Sequence, residues 1–308
     1  QALGCGPLYI KRDDLTPLGL GGNKTRKLEF LLGDALAGGA DTLVTVGGVQ
    51  TNHGRLTAAA AAKAGLACTL VLDGARPEKL SGNLLLDCLL GASLVYTDGR
   101  STSAVIEETL AALQAAGRAP YFIPEGGSNA VGSAGYLAMV PELLAQADSL
   151  PVPPARLVCT MGSLGTFAGL WLGARAFGAP FSVTGVAVNP TTGYTREKAA
   201  ALVNEMSAAY GLDIAAAPED MDIIYADAAH DYAGPGYNVP DAKTRGAVEL
   251  LARTEGIFLD PCYTAKSFRG FCDIARELDG GAIFVHTGGT PALWTQEHLD
   301  AFAADYWN

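Results

Sequence analysis

At 308 residues the chain exceeds one average domain, so its length predicts one large or two medium-sized domains. Hydrophobic residues make up 49% of it and charged residues only 17%, which permits a large core and excludes an intrinsically disordered protein. The net charge of -11 argues against a nucleic-acid-binding protein, because such a protein needs a basic surface.

The cysteines and histidines indicate neither a disulfide framework nor a metal site. The 6 cysteines contain no C-x-x-C pair, which favours free thiols in a reducing, cytoplasmic compartment. The 4 histidines have no ligand spacing, so no metal is expected. A run of about twenty apolar residues is absent, so no membrane span is predicted. Gln1 is not an initiator residue, and we therefore expect further residues before it.

Short apolar runs alternate with helical patterns through the first half of the chain. The predicted strands are 8–10, 42–46, 68–72, 94–96 and 121–123. A helix starting near Lys24 and helices 55–63, 83–90 and 104–116 lie between them. This alternation predicts a parallel sheet covered by helices on both faces.

A proline-rich connector, residues 148–154, separates this half from a second α/β alternation. The predicted strands there are 157–159, 182–188, 223–225, 257–259 and 282–285, and the helices are 167–177, 196–210, 243–253 and 267–277. The fold class is therefore α/β, with two three-layer domains, parallel sheets and a cleft between them. Ligands of such sheets bind beyond the carboxyl ends of the strands.

Lys24 follows a glycine pair and opens an apolar-periodic helix. Glycines let the backbone approach a ligand closely, and a lysine beside such a turn is a candidate for Schiff-base chemistry. The alternative is a solvated lysine at a helix start.

Residues 47–53 lie where a predicted strand ends and a helix begins. Free amides at a helix N-terminus bind a carboxylate or phosphate. Thr51 is suited to hold a carboxylate or, as a catalytic residue, to assist proton transfer, and Asn52 is suited to bind a ring hydroxyl. The alternative is that Thr51 and Asn52 only cap the helix.

The turn 161–166 offers several backbone amides and two hydroxyl groups, which is typical of a phosphate site. It matches neither G-x-G-x-x-G nor a Walker A loop, so a single phosphate monoester suits it better than a nucleotide. A plain strand–helix turn is the alternative. Two more polar stretches, 260–266 and 286–291, also follow predicted strands, and four such loops favour one shared ligand.

These stretches resemble the tryptophan-synthase-β-like (fold type II) pyridoxal-phosphate enzymes, within them the D-cysteine desulfhydrase and 1-aminocyclopropane-1-carboxylate (ACC) deaminase group. The resemblance rests on 12–14, 22–29, 50–53, 126–129, 233–237, 252–256, 260–266 and 286–293, and it covers nearly the whole chain. It implies pyridoxal 5′-phosphate as cofactor, held in the cleft between a large domain (1–38 plus 147–308) and a small domain (39–146). A homodimer and a cytoplasmic location are also expected from it.

The resemblance assigns roles to individual residues. Lys24 is the Schiff-base lysine, and Lys27, one turn later, is expected to face elsewhere. Asn52 meets the pyridine 3′-oxygen, and Thr51 with the amides of Asn52 and His53 receives the substrate carboxylate. The remaining implied site residues are the phosphate-binding Gly162, Ser163, Leu164, Gly165 and Thr166, the catalytic Tyr237 and Tyr263, of which Tyr263 also contacts substrate, and Thr264 at the cofactor ring.

Thr264 departs from the ACC deaminases, which carry a glutamate there. A hydroxyl stabilises a protonated pyridine less than a carboxylate does, so the cofactor is a weaker electron sink. That favours β-elimination of a good leaving group over cyclopropane opening. A second departure is Thr51, where serine is more usual.

The expected function is β-elimination of D-cysteine to pyruvate, sulfide and ammonia. Within the class, the alternatives are an L-cysteate sulfo-lyase and, with less support, an ACC deaminase. A sulfo-lyase needs a cationic pocket, and the positions of Arg26, Arg55 and Lys266 leave that choice open. Outside the class, the alternatives are a non-catalytic pyridoxal-phosphate binder and a phosphate-sugar enzyme.

Overall fold

The computed structural model describes residues 3–190, 193–239 and 241–307. Its strands are β1 (Leu8–Arg12), β2 (Thr42–Gly48), β3 (Ala67–Asp73), β4 (Ser93–Tyr96), β5 (Pro120–Ile123), β6 (Pro154–Met161), β7 (Ser182–Ala187), β8 (Ile223–Ile224) and β9 (Gly281–His286). Its α-helices are α1 (Lys24–Ala37), α2 (Asn52–Ala64), α3 (Gly82–Leu89), α4 (Thr102–Ala115), α5 (Ala130–Leu137), α6 (Met139–Ala147), α7 (Gly165–Ala176), α8 (Arg196–Ala209), α9 (Ala242–Glu255), α10 (Thr264–Arg276) and α11 (Gln296–Trp307).

The strands form two parallel sheets, as the sequence predicts. The larger has the order β1-β9-β6-β7-β8, and the smaller has the order β4-β3-β2-β5. Every strand pair is parallel. The carboxyl ends of neighbouring strands therefore meet at one edge of each sheet, which is where the polar loops emerge.

The larger sheet is buried on both faces. Alternate residues of β6 point to opposite sides, so Leu157 and Cys159 join one apolar core while Val158 joins the other. Helices α5 to α8 supply the first core, and α9 and α10 supply the second. Strands buried on both faces explain the continuous apolar runs seen in the sequence.

Helix α1 packs into the core of the smaller sheet through Leu28 and Leu31, which are fully buried with Leu43 and Leu56. Helices α5 and α6, although they follow β5 of that sheet, bury Tyr136 and its neighbours in the core of the larger one. The residues around Lys24 are thus anchored to both layers.

The prediction of a strand at 257–259 is wrong. These residues are extended loop between α9 and α10, and Phe258 is 58% exposed. The backbone carbonyl of Phe258 accepts a hydrogen bond from Nε2 of His286 (3.0 Å) instead of pairing with a strand. Helices α5, α6 and α11 were not predicted. Within the described residues, no helix is long and apolar enough to cross a membrane.

Candidate active site

A cavity of about 460 Å³ opens where the carboxyl ends of the two sheets meet. It gathers residues from all four loops that the sequence analysis singled out. The wall includes Asn23, Lys24, Thr51, Asn52, His53, Glu125, Gly126, Thr160, Gly162, Ser163, Thr166, Val188, Asn189, Gly193, Tyr194, Lys198, Tyr237, Tyr263, Thr287 and Gly288. Of the predicted site residues, Leu164, Gly165 and Thr264 are described but are not part of this wall.

Lys24 is the first residue of α1, and its amino group faces the cavity. Burial lowers its pKa to about 8, and the nearby carboxylate of Glu125 opposes that shift. An amine must lose its proton before it can attack a carbonyl carbon. The environment of Lys24 therefore favours the nucleophilic form far more than solvent does.

Lys27 does not face elsewhere, as the sequence analysis expected. It is fully buried beside Lys24, and its amino group donates to the carbonyl of Gly126 (3.0 Å) and to Oγ of Ser128 (3.3 Å). The reason is the helix period, which places residues three apart on the same face. Burial and the charge of Lys24 lower the pKa of Lys27 well below its ordinary value.

The loop before Lys24 is fixed by backbone contacts and by one buried cation. A side chain on Gly22 (φ +128°) would collide with the carbonyl of Thr287 at 3.0 Å, so the two loops approach as closely as glycine permits. Arg55 of α2 is fully buried and donates to the carbonyls of Gly19 and Gly21. The position of Lys24 is thus set by the small-sheet helix that also forms the cavity wall.

The turn after β6 leads into the N-terminus of α7, so its amides point to the cavity. Oγ of Ser128 accepts from the amide of Gly165 (3.1 Å) and donates to Oγ of Ser163 (2.9 Å). A Cβ on Gly165 would lie 2.7 Å from Nζ of Lys27. A helix N-terminus, hydroxyl groups and an adjacent buried lysine together suit an anion such as phosphate.

Thr51 is the N-cap of α2, and its Oγ1 accepts from the amide of Gly54 (3.2 Å). The capping interpretation is therefore correct for this hydroxyl. Helix geometry leaves the amides of Asn52 and His53 without intrahelical acceptors, which suits a carboxylate. Burial and the charges of Lys24 and Lys27 lower the pKa of His53 well below its ordinary value, so its imidazole is neutral.

Asn52 is oriented by a residue that the sequence analysis missed. Nδ2 of the buried Asn83 donates to Oδ1 of Asn52 (2.8 Å) and to the carbonyl of Gln50 (2.8 Å). Because Oδ1 of Asn52 is the acceptor, its amide NH₂ is left as the group for a ligand oxygen. Asn83 lies on α3, 31 residues away, so no local motif indicated it.

The hydroxyl groups of Tyr263 and Tyr237 are hydrogen-bonded at 3.0 Å, and the rings meet edge to face. Burial, and then the neighbouring Tyr237, raises the pKa of Tyr263 well above its ordinary value. Both phenols are therefore protonated at neutral pH and able to donate. Oη of Tyr263 donates within the pair, so the hydrogen of the Tyr237 hydroxyl is directed elsewhere.

Thr264 is fully buried, and its hydroxyl is held in the turn that precedes α10. Oγ1 of Thr264 donates to Oδ1 of Asp260 (2.6 Å) and accepts from the amide of Asp260 (2.8 Å). The Asp260 carboxylate also accepts from the amides of Cys262 and Tyr263. This network fixes the loop that carries Tyr263, and the role of Thr264 toward the cofactor ring stays a prediction.

Glu125, Tyr194 and Lys198 belong to the cavity wall and were not predicted. Oη of Tyr194 donates to Oε2 of Glu125 (2.8 Å), and Nζ of Lys198 donates to the carbonyl of Gly193 (2.7 Å). The sequence offered one indication of Glu125, its position directly before 126–129, a stretch that carries the family resemblance.

Comparison with known proteins identifies the chain. A family described as "Pyridoxal-phosphate dependent enzyme" matches residues 1–288. The chain belongs to this family. Its fold is that of the fold type II pyridoxal-phosphate enzymes, as the resemblance implied, and its cofactor is pyridoxal 5′-phosphate.

Two curated relatives of this pyridoxal-phosphate enzyme carry different names. A protein of Pyrococcus abyssi, named "Putative 1-aminocyclopropane-1-carboxylate deaminase", is 40% identical over 93% of this chain and 86% of its own length. A "D-cysteine desulfhydrase" of Yersinia enterocolitica is 41% identical over 93% of this chain and 88% of its own length. The predicted kinship with both groups is confirmed.

Solved structures agree on the fold. A structure titled as that of an ACC deaminase homologue has a TM-score of 0.87 and 36% identity, and it covers 98% of this chain and 90% of its own. An L-serine ammonia-lyase from Rhizomucor miehei has a TM-score of 0.66 at 18% identity, covering 99% of this chain and 94% of its own, and it supports the fold alone.

The residues of the cavity fit this cofactor. Lys24 offers an amine with a lowered pKa to the aldehyde, and the α7 N-terminus offers amides to the phosphate. Gly165 allows the polar side chains of Lys27 and Ser128 to pack directly against the turn, because a Cβ there would lie within 2.9 Å of both. The donor set thus matches the two ends of the cofactor.

Proposed function

We propose that this pyridoxal-phosphate enzyme is a carbon–sulfur lyase that converts D-cysteine and water to pyruvate, sulfide and ammonia. One observation carries the proposal: the amino group of Lys24, whose pKa is lowered, shares a cavity with an open helix N-terminus and a pair of tyrosine hydroxyls. These are the groups that proton removal, carboxylate binding and leaving-group protonation require. The names of relatives at about 41% identity support the same substrate.

The cofactor, when bound, supplies the electron sink for loss of the α-proton. The chain supplies proton transfer and orientation. Nζ of Lys24 accepts the α-proton, since burial leaves part of its population unprotonated near neutral pH. The hydrogen of the Tyr237 hydroxyl goes to the departing sulfur, and Tyr263 holds that hydroxyl in place.

The other site residues position the reactants. Thr51 and the first amides of α2, those of Asn52 and His53, receive the substrate carboxylate. The amide of Asn52, oriented by Asn83, meets the cofactor 3′-oxygen. The turn at Gly162, Ser163, Leu164, Gly165 and Thr166, with Lys27, holds the phosphate, and Thr264 lies toward the cofactor ring nitrogen.

The L-cysteate alternative loses support from the contacts of its candidate cations. Arg26 pairs with Asp13 and Glu142, and Arg55 and Lys266 are bonded to backbone carbonyls. None of these three described side chains is part of the cavity wall, so none offers its charge to a sulfonate. ACC deamination remains the second candidate because one relative carries that name, and Thr264 in place of a glutamate argues against it.

We infer that the chain divides into domains 1–38 plus 147–308 and 39–146, which is supported by the position of all strands of the smaller sheet within 39–146 and of all strands of the larger sheet outside it. Helices α1, α5 and α6 pack across this division. We also propose a homodimer in the cytoplasm, on the strength of the family resemblance. Light scattering of the purified protein tests the oligomeric state, and a monomer would contradict it.

A substrate panel tests the proposed reaction. The holoenzyme is offered D-cysteine, L-cysteine, L-cysteate and ACC, and pyruvate, 2-oxobutyrate, sulfide and sulfite are measured. We expect equal amounts of pyruvate and sulfide from D-cysteine, and none from Lys24→Ala. Sulfite from L-cysteate or 2-oxobutyrate from ACC as the main product would overturn the proposal in favour of the named alternative.

A further inference from the structure

The catalytic Tyr237 lies on a segment without helix or strand, residues 231–239, which we call the strap. The strap passes the cavity after β8 and before α9, and its Tyr237 ring forms part of the wall. Irregular backbone has no ladder of its own hydrogen bonds to fix it. The accuracy with which Tyr237 meets a substrate therefore depends on what holds the strap.

One face of α10 holds the start of the strap. Arg269 donates to the carboxylate of Asp231 (2.5 Å), and Oη of Tyr232 donates to Oδ2 of Asp273 (2.8 Å). Arg269 and Asp273 lie one turn apart on this helix. Both contacts are at least partly exposed and precede Tyr237 by five or six residues, so they anchor the strap without fixing its tyrosine.

Lys266, one turn earlier on the same face of α10, holds the centre of the strap. It is fully buried, and its Nζ donates to the carbonyls of Ala233 (2.6 Å), Gly236 (2.8 Å) and Val188 (3.4 Å). Two of these carbonyls belong to the strap, and Gly236 directly precedes Tyr237. The third belongs to Val188, a residue of the cavity wall.

A buried ammonium is costly unless polar groups surround it. Here the acceptors are three backbone carbonyls, with no carboxylate bonded to Nζ among the described residues. Hydrogen bonds from a charged donor are stronger than neutral ones. Lys266 therefore ties the irregular backbone of the strap to the helix that begins next to Tyr263.

We propose that Lys266 is a positioning residue, which sets Tyr237 against Tyr263 by clamping the strap to α10. The inference rests on the proposed function, in which the Tyr237 hydroxyl protonates the leaving group. Lys266 touches neither substrate nor cofactor in this role. Its removal affects catalysis only through Tyr237.

The test compares Lys266→Met, Tyr237→Phe and the double variant in the holoenzyme. Lys266→Met keeps the length and apolar stem of the side chain and removes the ammonium. We expect a fall in kcat for D-cysteine of about tenfold to a hundredfold, with KM changed less, because a displaced catalytic group loses orientation. The double variant is expected to be no slower than the slower single variant, since both act on one hydroxyl. Effects that multiply would overturn the proposal.

Lys243→Met is the matched control. Lys243 also binds the strap, but it is exposed, and its contact is with the exposed Asp231 rather than with the residue next to Tyr237. We expect its kcat to stay within about twofold of wild type. A loss equal to that of Lys266→Met would show that any loosening of the strap suffices, and would overturn the specific role of Lys266.

Hydrogen exchange gives a readout that needs no turnover. The amides of residues 233–238 should exchange faster in Lys266→Met than in wild type. In Lys243→Met their exchange rates should equal those of wild type. Equal exchange in wild type and Lys266→Met would refute the clamp even if D-cysteine proved not to be the substrate. If Lys266→Met fails to fold, Lys266→Gln, which keeps a neutral donor, replaces it in the same comparisons and the same outcomes decide.

Discussion

The pKa of Lys24 leads to a prediction about how fast the apoenzyme captures its cofactor. Burial lowers that pKa to about 8, against 10.5 for an ordinary lysine. At pH 7 about three in ten thousand ordinary lysine side chains are unprotonated, against about one in ten for Lys24, a difference of about 300-fold. Since only the free amine attacks the aldehyde, the rate of covalent capture at neutral pH should rise by a similar factor.

Stopped-flow absorbance of apoenzyme mixed with pyridoxal phosphate measures this rate across about pH 6 to about pH 10. We expect the rate to increase with pH and to level off above about 8, where Lys24 has lost its proton. Nα-acetyl-lysine, measured in parallel, accounts for the titration of the cofactor itself. A protein rate that keeps rising to about pH 10 in step with acetyl-lysine would show that burial does not lower the pKa of Lys24.

Glu125→Gln provides a matched variant for the same assay. The carboxylate of Glu125 raises the pKa of Lys24, so its removal should move the plateau to lower pH. The amide retains an acceptor for the Tyr194 hydroxyl, which limits other changes. A shift to higher pH, or no shift, would show that Glu125 does not act on Lys24.

Three further predictions concern buried groups around the site. Burial raises the pKa of Asp87 to about 7 from 3.8, so the folded protein keeps a proton that the unfolded chain releases, and wild-type stability falls between about pH 4 and about pH 7. Asp87→Asn should remove that loss, so the unfolding free energy of the variant minus that of wild type, measured in urea, should rise by about 4 kcal/mol from the low to the high end of this pH range. A difference that does not change with pH would contradict the burial argument. Gly165→Ala places a Cβ 2.7 Å from Nζ of Lys27, and fluorescence titration of the apoenzyme should show at least about tenfold weaker cofactor binding, where equal affinity would disprove a tight phosphate turn. Asn83→Ala frees the amide of Asn52, so the visible absorbance of bound cofactor should titrate at a different pH, and an unchanged titration would exclude the orienting role.

The parallel sheets could be predicted because strands buried on both faces have continuous apolar sequences. The same rule failed at 257–259, where an apolar run forms a loop with Phe258 exposed and its carbonyl bound by His286. Helix α5 was missed because its glycines read as loop, whereas in the structure they allow close packing, with Gly132 against the carbonyl of Gly127 and Gly135 against that of Arg26. Tertiary packing, which a single sequence does not display, decided both cases.

The site could be predicted as far as its local motifs reached. Thr51 follows the end of β2, where parallel topology brings loops together. Lys24 and Tyr263 stand where helices α1 and α10 begin. Lys27 was misplaced although the helix period alone puts it beside Lys24. Asn83 and Glu125 act through contacts between segments distant in the chain, so no spacing rule could indicate them.

Chemical mapping of the lysine that is joined to the cofactor tests the assignment of Lys24. The holoenzyme is reduced with borohydride, digested and mapped by mass spectrometry, so that the lysine joined to the cofactor keeps its label. We predict the label on Lys24, whose amine faces the cavity with a lowered pKa. A label on the adjacent Lys27, or on Lys198 across the cavity wall, would contradict the assignment and the reaction built on it.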